Sequence, residues 1–557
     1  MSKDSLEKTF TKNQVKTVGT YLLDLLKENG VDHIFGIPGD YILRFDKRIE
    51  EHSIEFINAT RENTAGYMAD AYARMRGLGA ACVTYGVGIN IVNAIAQCYV
   101  ESSPVIFISG APGLDEKKFH LHHLIHKSTF EGRDLTQYQL FKQITIDQAI
   151  LNDPRTASQQ IKRVLSACLY HKKPVYLELP RSIIDQPILE SNLLEAYSPP
   201  KVSREALAEA ILETKALLSK AKRPVIWAGH EISRHNLQAY LLKMAETLNI
   251  PIFSSLLGKG SIDERHPLFS GVYQGHLSSD GVREDFDNAD LVLVLGVLPT
   301  DIDTGLFTAN IKKSGSPLIA QENSLAIGHH NYPGLDLSSF VKALAHEDFP
   351  KTYPNGSKKS FIQSQAFQPK NARLTIDRVL QALGNKLKDE HILIVDIGDA
   401  FFASKDLIVS EKGYLASAYF ATMGFAVPGA IGSQIAEKEK RAVVLVGDGA
   451  FQMTGTELST ALRYDLDPIV IVLNNHGYGT ERPILEGGYN DILNWNYSKL
   501  TEVLGGGVGI KTTTELEFKE AIDKAFEKRG TLFLIEADLP KNDTSSALKK
   551  LGSLAKK

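Results

Sequence analysis

The sequence predicts an α/β protein of three consecutive domains, each built on a mainly parallel sheet. Short apolar, β-branched runs such as ACVTYG, PVIFISG, PVYLELP and ADLVLVLG alternate with helical patterns such as TAGYMADAYARM and REALAEAILETKALLSKA. That alternation is the mark of βα units in a parallel sheet. At 557 residues the chain has room for roughly three or four domains of about 150 residues. Two polar stretches, PILESNLLEAYSPPKVSRE and KTYPNGSKKSFIQSQAFQPKNA, divide the pattern into thirds.

The first domain is expected over 1–190, the second over 203–345 and the third over 372–540, leaving a tail at 541–557. The second opens with the helix from Arg204 and continues through PVIWAG, IPIFSS and ADLVLVLG. Its strand-to-glycine turns, WAGHEISR and VLGVLPTDIDTG, lack the G-x-G-x-x-G spacing of a dinucleotide site, so the middle domain is expected to be scaffold.

Composition narrows the function. The chain is 43% hydrophobic and 23% charged, with a formal net charge of −4, an ordinary globular balance that argues against nucleic acid or a membrane surface as partner. Cys82, Cys98 and Cys168 sit among apolar neighbours, as expected in a reducing compartment. No apolar run approaches the roughly 18 residues of a membrane span, and the N-terminal MSKDSLEKTFTKNQ has no signal-peptide core. These features lead us to expect a cytoplasmic enzyme.

The most informative segment is VVLVGDGAFQMTGTELSTALRYDLDPIVIVLNNHGYGTE, residues 443–481. It reads as a buried strand ending in Gly447-Asp448-Gly449, a helix, and a second buried strand ending in Asn474-Asn475. In parallel α/β sheets ligands sit beyond the carboxyl ends of the strands, where both polar clusters fall. The helix that follows the first strand turns its N-terminus toward an anion there, and glycine lets the backbone approach it closely. Asp448, the Asn475 amide oxygen and a main-chain carbonyl near Gly477 would supply oxygens to Mg²⁺. Gly-Asp-Gly alone is a common turn; its pairing with Asn-Asn across a βαβ unit makes the pattern specific.

This segment resembles the diphosphate and Mg²⁺ motif of thiamine diphosphate enzymes, and the resemblance extends over essentially the whole chain. It implies the thiamine-diphosphate-binding fold: a pyrimidine-binding domain, a central domain and a diphosphate-binding domain. Some family members hold a flavin or nucleotide in the central domain, but this sequence gives no reason to expect one. Within INATRENTAGYMADAYAR, the resemblance assigns Glu62 to the cofactor's pyrimidine N1′, where a desolvated carboxylate would promote loss of the thiazolium C2 proton. Without it, Glu62 would read as a first-turn carboxylate favoured by the helix dipole. The resemblance further implies cofactor contacts at Ala421, Met423, Gly447, Asp448, Gly449, Ala450, Asn475 and Gly477. Met423, in ATMGFAVPGAIG, takes the place of the apolar wedge under the two rings, although a Met that fills a core gap would read the same way.

Within the family, the chain is similar to 2-oxo acid decarboxylases of the pyruvate and indolepyruvate type. These carry a G-D-Y, here Gly39-Asp40-Tyr41, and a His-His pair after G-A-P, here His122 and His123. Glu481, after NNHGYG, matches their catalytic glutamate; its plain reading is a first-turn carboxylate of a following helix. The resemblance gives Asp40, His122, His123 and Glu481 one desolvated pocket, in which acid and base groups protonate an enamine and then release an aldehyde. Phe401, Phe402 and Thr480 are expected to line the substrate pocket. Three departures stand out. Gly398-Asp399-Ala400 replaces a common G-T-S, leaving the role of Asp399 open. The segment between His123 and QITI is longer, and Thr480 stands where Ile or Val is usual.

The expected activity is non-oxidative decarboxylation of a 2-oxo acid larger than pyruvate. The expected assembly is a homodimer or homotetramer with active sites shared between subunits. A carboligase of the acetolactate synthase type, or a non-catalytic binding protein of the same fold, are the alternatives.

Overall fold

Each apolar run becomes a strand in the computed structural model, which describes residues 16–118, 136–188, 201–311, 317–349, 352–353 and 366–555. By its contacts the chain divides into two units, Met1–Gly66 with Leu78–Ile95 and Pro104–Ser198, and Tyr67–Gly77 with Ala96–Ser103 and Pro199–Lys557.

The first unit holds β1 (His33–Gly36), β2 (Glu55–Asn58), β3 (Gly79–Val83), β4 (Val105–Ala111), β5 (Asp147–Ile150) and β6 (Val175–Pro180). They form one parallel sheet in the order β2-β1-β3-β4-β6-β5. Its inner strands β3 and β4 are buried along their whole length, which is why they read as continuous apolar runs rather than alternating ones.

The second unit holds two sheets. One contains β7 (Pro224–Ala228), β8 (Ile252–Ser254), β9 (Phe269–Val272), β10 (Leu291–Leu295), β11 (Leu318–Gln321), β12 (Ser324–Ile327) and β13 (His330–Asn331). Its order is β13-β12-β11-β10-β7-β8-β9, parallel except for the antiparallel edge β11-β12-β13. The other contains β14 (His391–Val395), β15 (Tyr414–Ala416), β16 (Arg441–Gly447), β17 (Ile469–Asn474), β18 (Val508–Thr512) and β19 (Phe533–Asp538). It is wholly parallel in the order β15-β14-β16-β17-β19-β18. β16 and β17 are therefore neighbours, and Gly447 pairs with Leu473, which sets the two polar motifs side by side at the carboxyl edge.

A buried ion pair fastens a helix of the sequence's first third into this second unit. Arg74, on the helix Glu62–Arg76, forks onto Asp70 at 2.8 and 2.7 Å and donates to the Ala416 carbonyl at 2.6 Å. Both side chains are almost wholly buried. Breaking such a pair strands a charge in the interior, at roughly 3–5 kcal/mol. Residues beyond 540 include a helix, Ser546–Ala555, whose Leu548 and Leu551 join the apolar core of the third sheet. Among the described residues no helix is long and apolar enough to cross a membrane, and Cys82, Cys98 and Cys168 are buried free thiols.

Candidate functional site

A cavity of about 600 Å³ opens at the carboxyl edge of the third sheet, well inside the size range of ligand pockets. Gly447, Asp448, Gly449, Ala450, Asn475, Gly477, Thr480 and Glu481 all line it, together with Ala421, Met423 and Phe402. Asp448 begins a seven-residue helix, Asp448–Thr454, and is 1% exposed. One of its oxygens accepts the Gly449 N–H at 2.8 Å and the other the Gly477 N–H at 3.0 Å. Burial pushes its carboxyl up to about 6, against those backbone bonds, and no cationic side chain pairs with it among the described residues.

Asn475 is buried, and its amide has no protein partner among the described residues. Gly477 has φ +143, and a Cβ there would fall 2.0 Å from the Asn490 carbonyl oxygen; no other residue fits. Its own carbonyl accepts the Gly479 N–H at 2.9 Å and keeps a second lone pair. The two glycines flanking Asp448 differ in what they permit. A Cβ on Gly447 would meet nothing within 4 Å, so a side chain there would project into open space, whereas at Gly449 it would meet the Tyr478 ring at 2.7 Å.

The loop carrying Ala421 and Met423 is held in an uncommon conformation. Gly424 has φ +86, which glycine adopts freely. Ala421 has φ +58, a state that persists for a residue with a Cβ only when the surroundings enforce it. Two buried carboxylates do so. Glu101 accepts the N–H groups of Tyr419 (2.7 Å) and Phe420 (3.0 Å). Asp396 accepts those of Gly424 and Ala426, and burial lifts its carboxyl to about 6. The Tyr419 hydroxyl donates to Asp303 at 2.9 Å. Met423 itself is partly exposed and faces the cavity, so it is not a filler of the core.

In the first unit Asp40 lies in the turn after β1, with Thr84 Oγ1 3.5 Å from its carboxylate. The chain must pass close to Thr84 here: a Cβ on Gly39 would fall 2.4 Å from Thr84 Cβ. Glu62 opens its helix and accepts from Asn90 Nδ2 at 2.9 Å. Both residues follow carboxyl ends of parallel strands, the side on which such sheets bind ligands. Glu62 is only partly buried in the single chain, where a desolvated carboxylate was expected. His122 and His123 lie outside the described residues.

Comparison with known proteins identifies the family. The model of the thiamine pyrophosphate enzyme N-terminal TPP binding domain matches residues 16–138, that of the central domain 211–344, and that of the C-terminal TPP binding domain 396–536. The chain belongs to the thiamine pyrophosphate (thiamine diphosphate) enzymes. It is 35% identical to an indole-3-pyruvate decarboxylase of Azospirillum brasilense, over 95% of this chain and 96% of that protein. It is 32% identical to a pyruvate decarboxylase of Hanseniaspora uvarum (96% and 97% covered) and to an alpha-keto-acid decarboxylase of Mycobacterium tuberculosis (97% and 98%).

The residues present fit this thiamine diphosphate enzyme's cofactor. The free space beside Gly447 suits a diphosphate. The carboxylate, amide and carbonyl oxygens of Asp448, Asn475 and Gly477 are donors for a hard cation, which would supply the charge partner that buried Asp448 lacks. The helix after β16 is short, so close backbone contact matters more here than a helix dipole.

Five details differ from the sequence reading or go beyond it. The middle domain reaches the cavity, where Thr300, Asp301 and Ile302 form part of its wall. Glu481 starts a turn, not a helix, its carbonyl accepting from Ile484 and Leu485 at 2.9 Å each, and it is exposed rather than desolvated in this chain. Phe401 and Phe402 both belong to the core of the third sheet, and only Phe402 also lines the cavity. Asp399 lines the cavity but turns both carboxylate oxygens to Ser545. Finally, Glu101, Asp303, Asp396 and Tyr419 had no motif to announce them. The only available signal was a carboxylate directly after an apolar strand, as in HILIVD.

Proposed function

We propose that this thiamine diphosphate enzyme decarboxylates a 2-oxo acid without oxidation, releasing CO2 and an aldehyde, with acids larger than pyruvate as its better substrates. The cavity around Asp448 and Asn475, with Glu481 on its wall, supports this best, in a chain similar over nearly its full length to three 2-oxo acid decarboxylases. When bound, thiamine diphosphate supplies the electron sink for loss of CO2. In this reading Asp448, Asn475 and the Gly477 carbonyl would hold Mg²⁺, which would neutralise the diphosphate. Met423 orients the rings, and Glu62 holds a proton at the pyrimidine N1′. Asp40, His122, His123 and Glu481 would deliver and withdraw the protons that release of an aldehyde requires.

The size preference rests on Thr480. Its side chain lines the cavity, is one carbon shorter than the isoleucine of the family pattern, and has a hydroxyl without a protein partner among the described residues. The Azospirillum relative is named for indole-3-pyruvate, an aromatic acid of the larger kind.

A second copy of the chain is part of the reading. Glu62 and the Asp448 cluster are expected to hold opposite ends of one cofactor, and Glu481 is exposed in the single chain. The segment after it displays Ile484, Leu485, Tyr489 and Leu493 at 58–80% exposure, the kind of apolar display that a partner covers. We therefore read the enzyme as a homodimer or a larger homo-oligomer. The carboligase alternative is not favoured, since the relatives named above are decarboxylases.

The test is direct. Purified protein with thiamine diphosphate and Mg²⁺ is offered a panel of 2-oxo acids, and CO2 and organic products are both measured. Aldehyde in step with CO2, fastest with the larger acids, is expected. Acyloin as the main product would favour carboligation instead.

A further inference from the structure

Asp399 is the residue that family likeness leaves unexplained. It is 8% exposed and lines the cavity, yet its carboxylate is committed elsewhere. Oδ2 accepts the Ser545 N–H at 2.8 Å, and Oδ1 accepts the Ser545 hydroxyl. Ser545 is 1% exposed and in turn accepts the Leu548 N–H at 3.0 Å, which caps the helix Ser546–Ala555. A second bracket sits beside the first. Ser546 donates through its N–H (3.1 Å) and its hydroxyl (2.6 Å) to Asp377, while Asp543 accepts the N–H of cavity-lining Ile376 at 2.7 Å.

The other end of this helix meets the turn that borders the same cavity. A Cβ on Gly552 would lie 2.9 Å from Pro483 Cβ, so the helix backbone presses against the turn that Glu481 begins. Thr480 and Glu481 lie on the cavity side of that turn. Between the two ends, Leu548 and Leu551 share an apolar cluster with Phe401 and Phe402. The helix is thus pinned at its start by Asp399 and bears at its far end on the residues assigned to substrate.

We propose that Asp399 is a positioning residue: through Ser545 it fixes the start of the C-terminal helix, and the helix, through Gly552 against Pro483, fixes the turn that carries Thr480 and Glu481. The functional meaning of that turn rests on the decarboxylase reading, but the mechanical coupling does not. Removing the Asp399 carboxylate frees the helix start, and the turn loses the surface it leans on. Misplacing a reacting group by about 1 Å costs on the order of a hundredfold in rate, so a small slip of the helix is enough.

The coupling is tested without activity by hydrogen–deuterium exchange in cofactor-free protein. Asp399→Ala, Ser545→Ala and Gly552→Ala should each raise exchange in a peptide covering residues 478–485, while peptides from the first sheet stay unchanged. In loaded enzyme the same variants should lower kcat by roughly tenfold to a hundredfold, with thiamine diphosphate retention unaltered. Asp399→Asn keeps an acceptor for the Ser545 N–H and an amide that can donate to its hydroxyl, and should recover most of both. Unchanged exchange at 478–485 in Ser545→Ala, a smaller change that stands in should the Asp399 variant not fold, would overturn the coupling. So would loss of the cofactor in Asp399→Ala but not in Ser545→Ala, which would mean that Asp399 acts on the cofactor itself. An unmodified enzyme that decarboxylates nothing would instead defeat the functional reading and leave the exchange result standing.

Discussion

Replacing Asp396 by alanine asks whether the loop bearing Met423 is held by a buried carboxylate or by its own packing. Asp396 is fully buried. Its oxygens accept the Gly424 N–H at 2.9 and 3.1 Å and the Ala426 N–H at 2.9 Å. Alanine leaves two N–H groups without an acceptor in a dry interior, which at about 1–3 kcal/mol each is a loss of roughly 2–6 kcal/mol. The carboxylate is itself expensive to bury. Its carboxyl rises from 3.8 to about 6, a penalty of roughly 3 kcal/mol on the ionised form at neutral pH, which alanine removes. The net change in stability is therefore between about −1 and 3 kcal/mol. Activity should respond far more. Freed from Asp396, the strained positive-φ conformation at Ala421 relaxes and Met423 leaves its place, at a cost in kcat of about a hundredfold per ångström.

The same residue carries a pH signature. Between 3.8 and about 6 the folded state holds a proton on Asp396 that the unfolded chain has released. Its contribution to stability is thus fully present below 3.8 and is lost as pH rises to about 6. Asp396→Asn keeps one accepting oxygen without the charge, so its melting temperature should fall less across that window than the parent's. Steady-state kinetics on the alanine variant and melts of the parent and the asparagine variant near pH 4 and 7 decide the matter. Parent-like kcat in Asp396→Ala would falsify the anchor role, whatever the melts show.

Asp448→Asn should lose thiamine diphosphate and activity together in a desalting assay; full activity of that variant after extensive EDTA dialysis would remove the metal assignment. Glu62→Gln should retain the cofactor but slow exchange of its C2 proton by roughly 10²–10⁴, read by NMR in deuterated buffer, and an unchanged rate would take Glu62 out of that role. Thr480→Ile fills about one methylene of room, worth roughly 1–3 kcal/mol, so kcat/KM for phenylpyruvate over pyruvate should drop. The size argument fails if pyruvate is already the best substrate of the parent. In sedimentation at assay concentration the active species should be at least a dimer; a fully active monomer contradicts shared sites.

The sequence was legible wherever local pattern and function coincide. β16 and β17 announced themselves as unbroken apolar runs, and Asp448 and Asn475 stood at their ends, so the heart of the cavity followed from strand adjacency. What stayed hidden depends on contacts between distant parts of the chain. Asp399 meets Ser545 across 146 positions and Glu101 meets Tyr419 across 318, and no periodicity encodes such a pairing. Thr300–Ile302 looked like an ordinary loop because loop geometry, not composition, brings it to the cavity. Glu481 read as the first turn of a helix, but Gly477 at φ +143 and Gly479 close beside Asn475 bend the backbone before it, and Gly487-Gly488 follow too soon for more than a turn.

The Arg74 fork has a consequence for how the protein is made. Its Ala416 acceptor is encoded 342 positions later. At about 5–20 residues per second of synthesis, Arg74 emerges roughly 20–70 seconds before that partner exists. During that interval a charged pair destined for the interior stays in water, and the second half of its helix has nothing to dock against. A fragment ending before β15 would never resolve this. Cutting the gene at the linkers that divide the sequence into thirds should give pieces that aggregate rather than fold, and the ribosome faces the same incomplete intermediate each time it makes the chain.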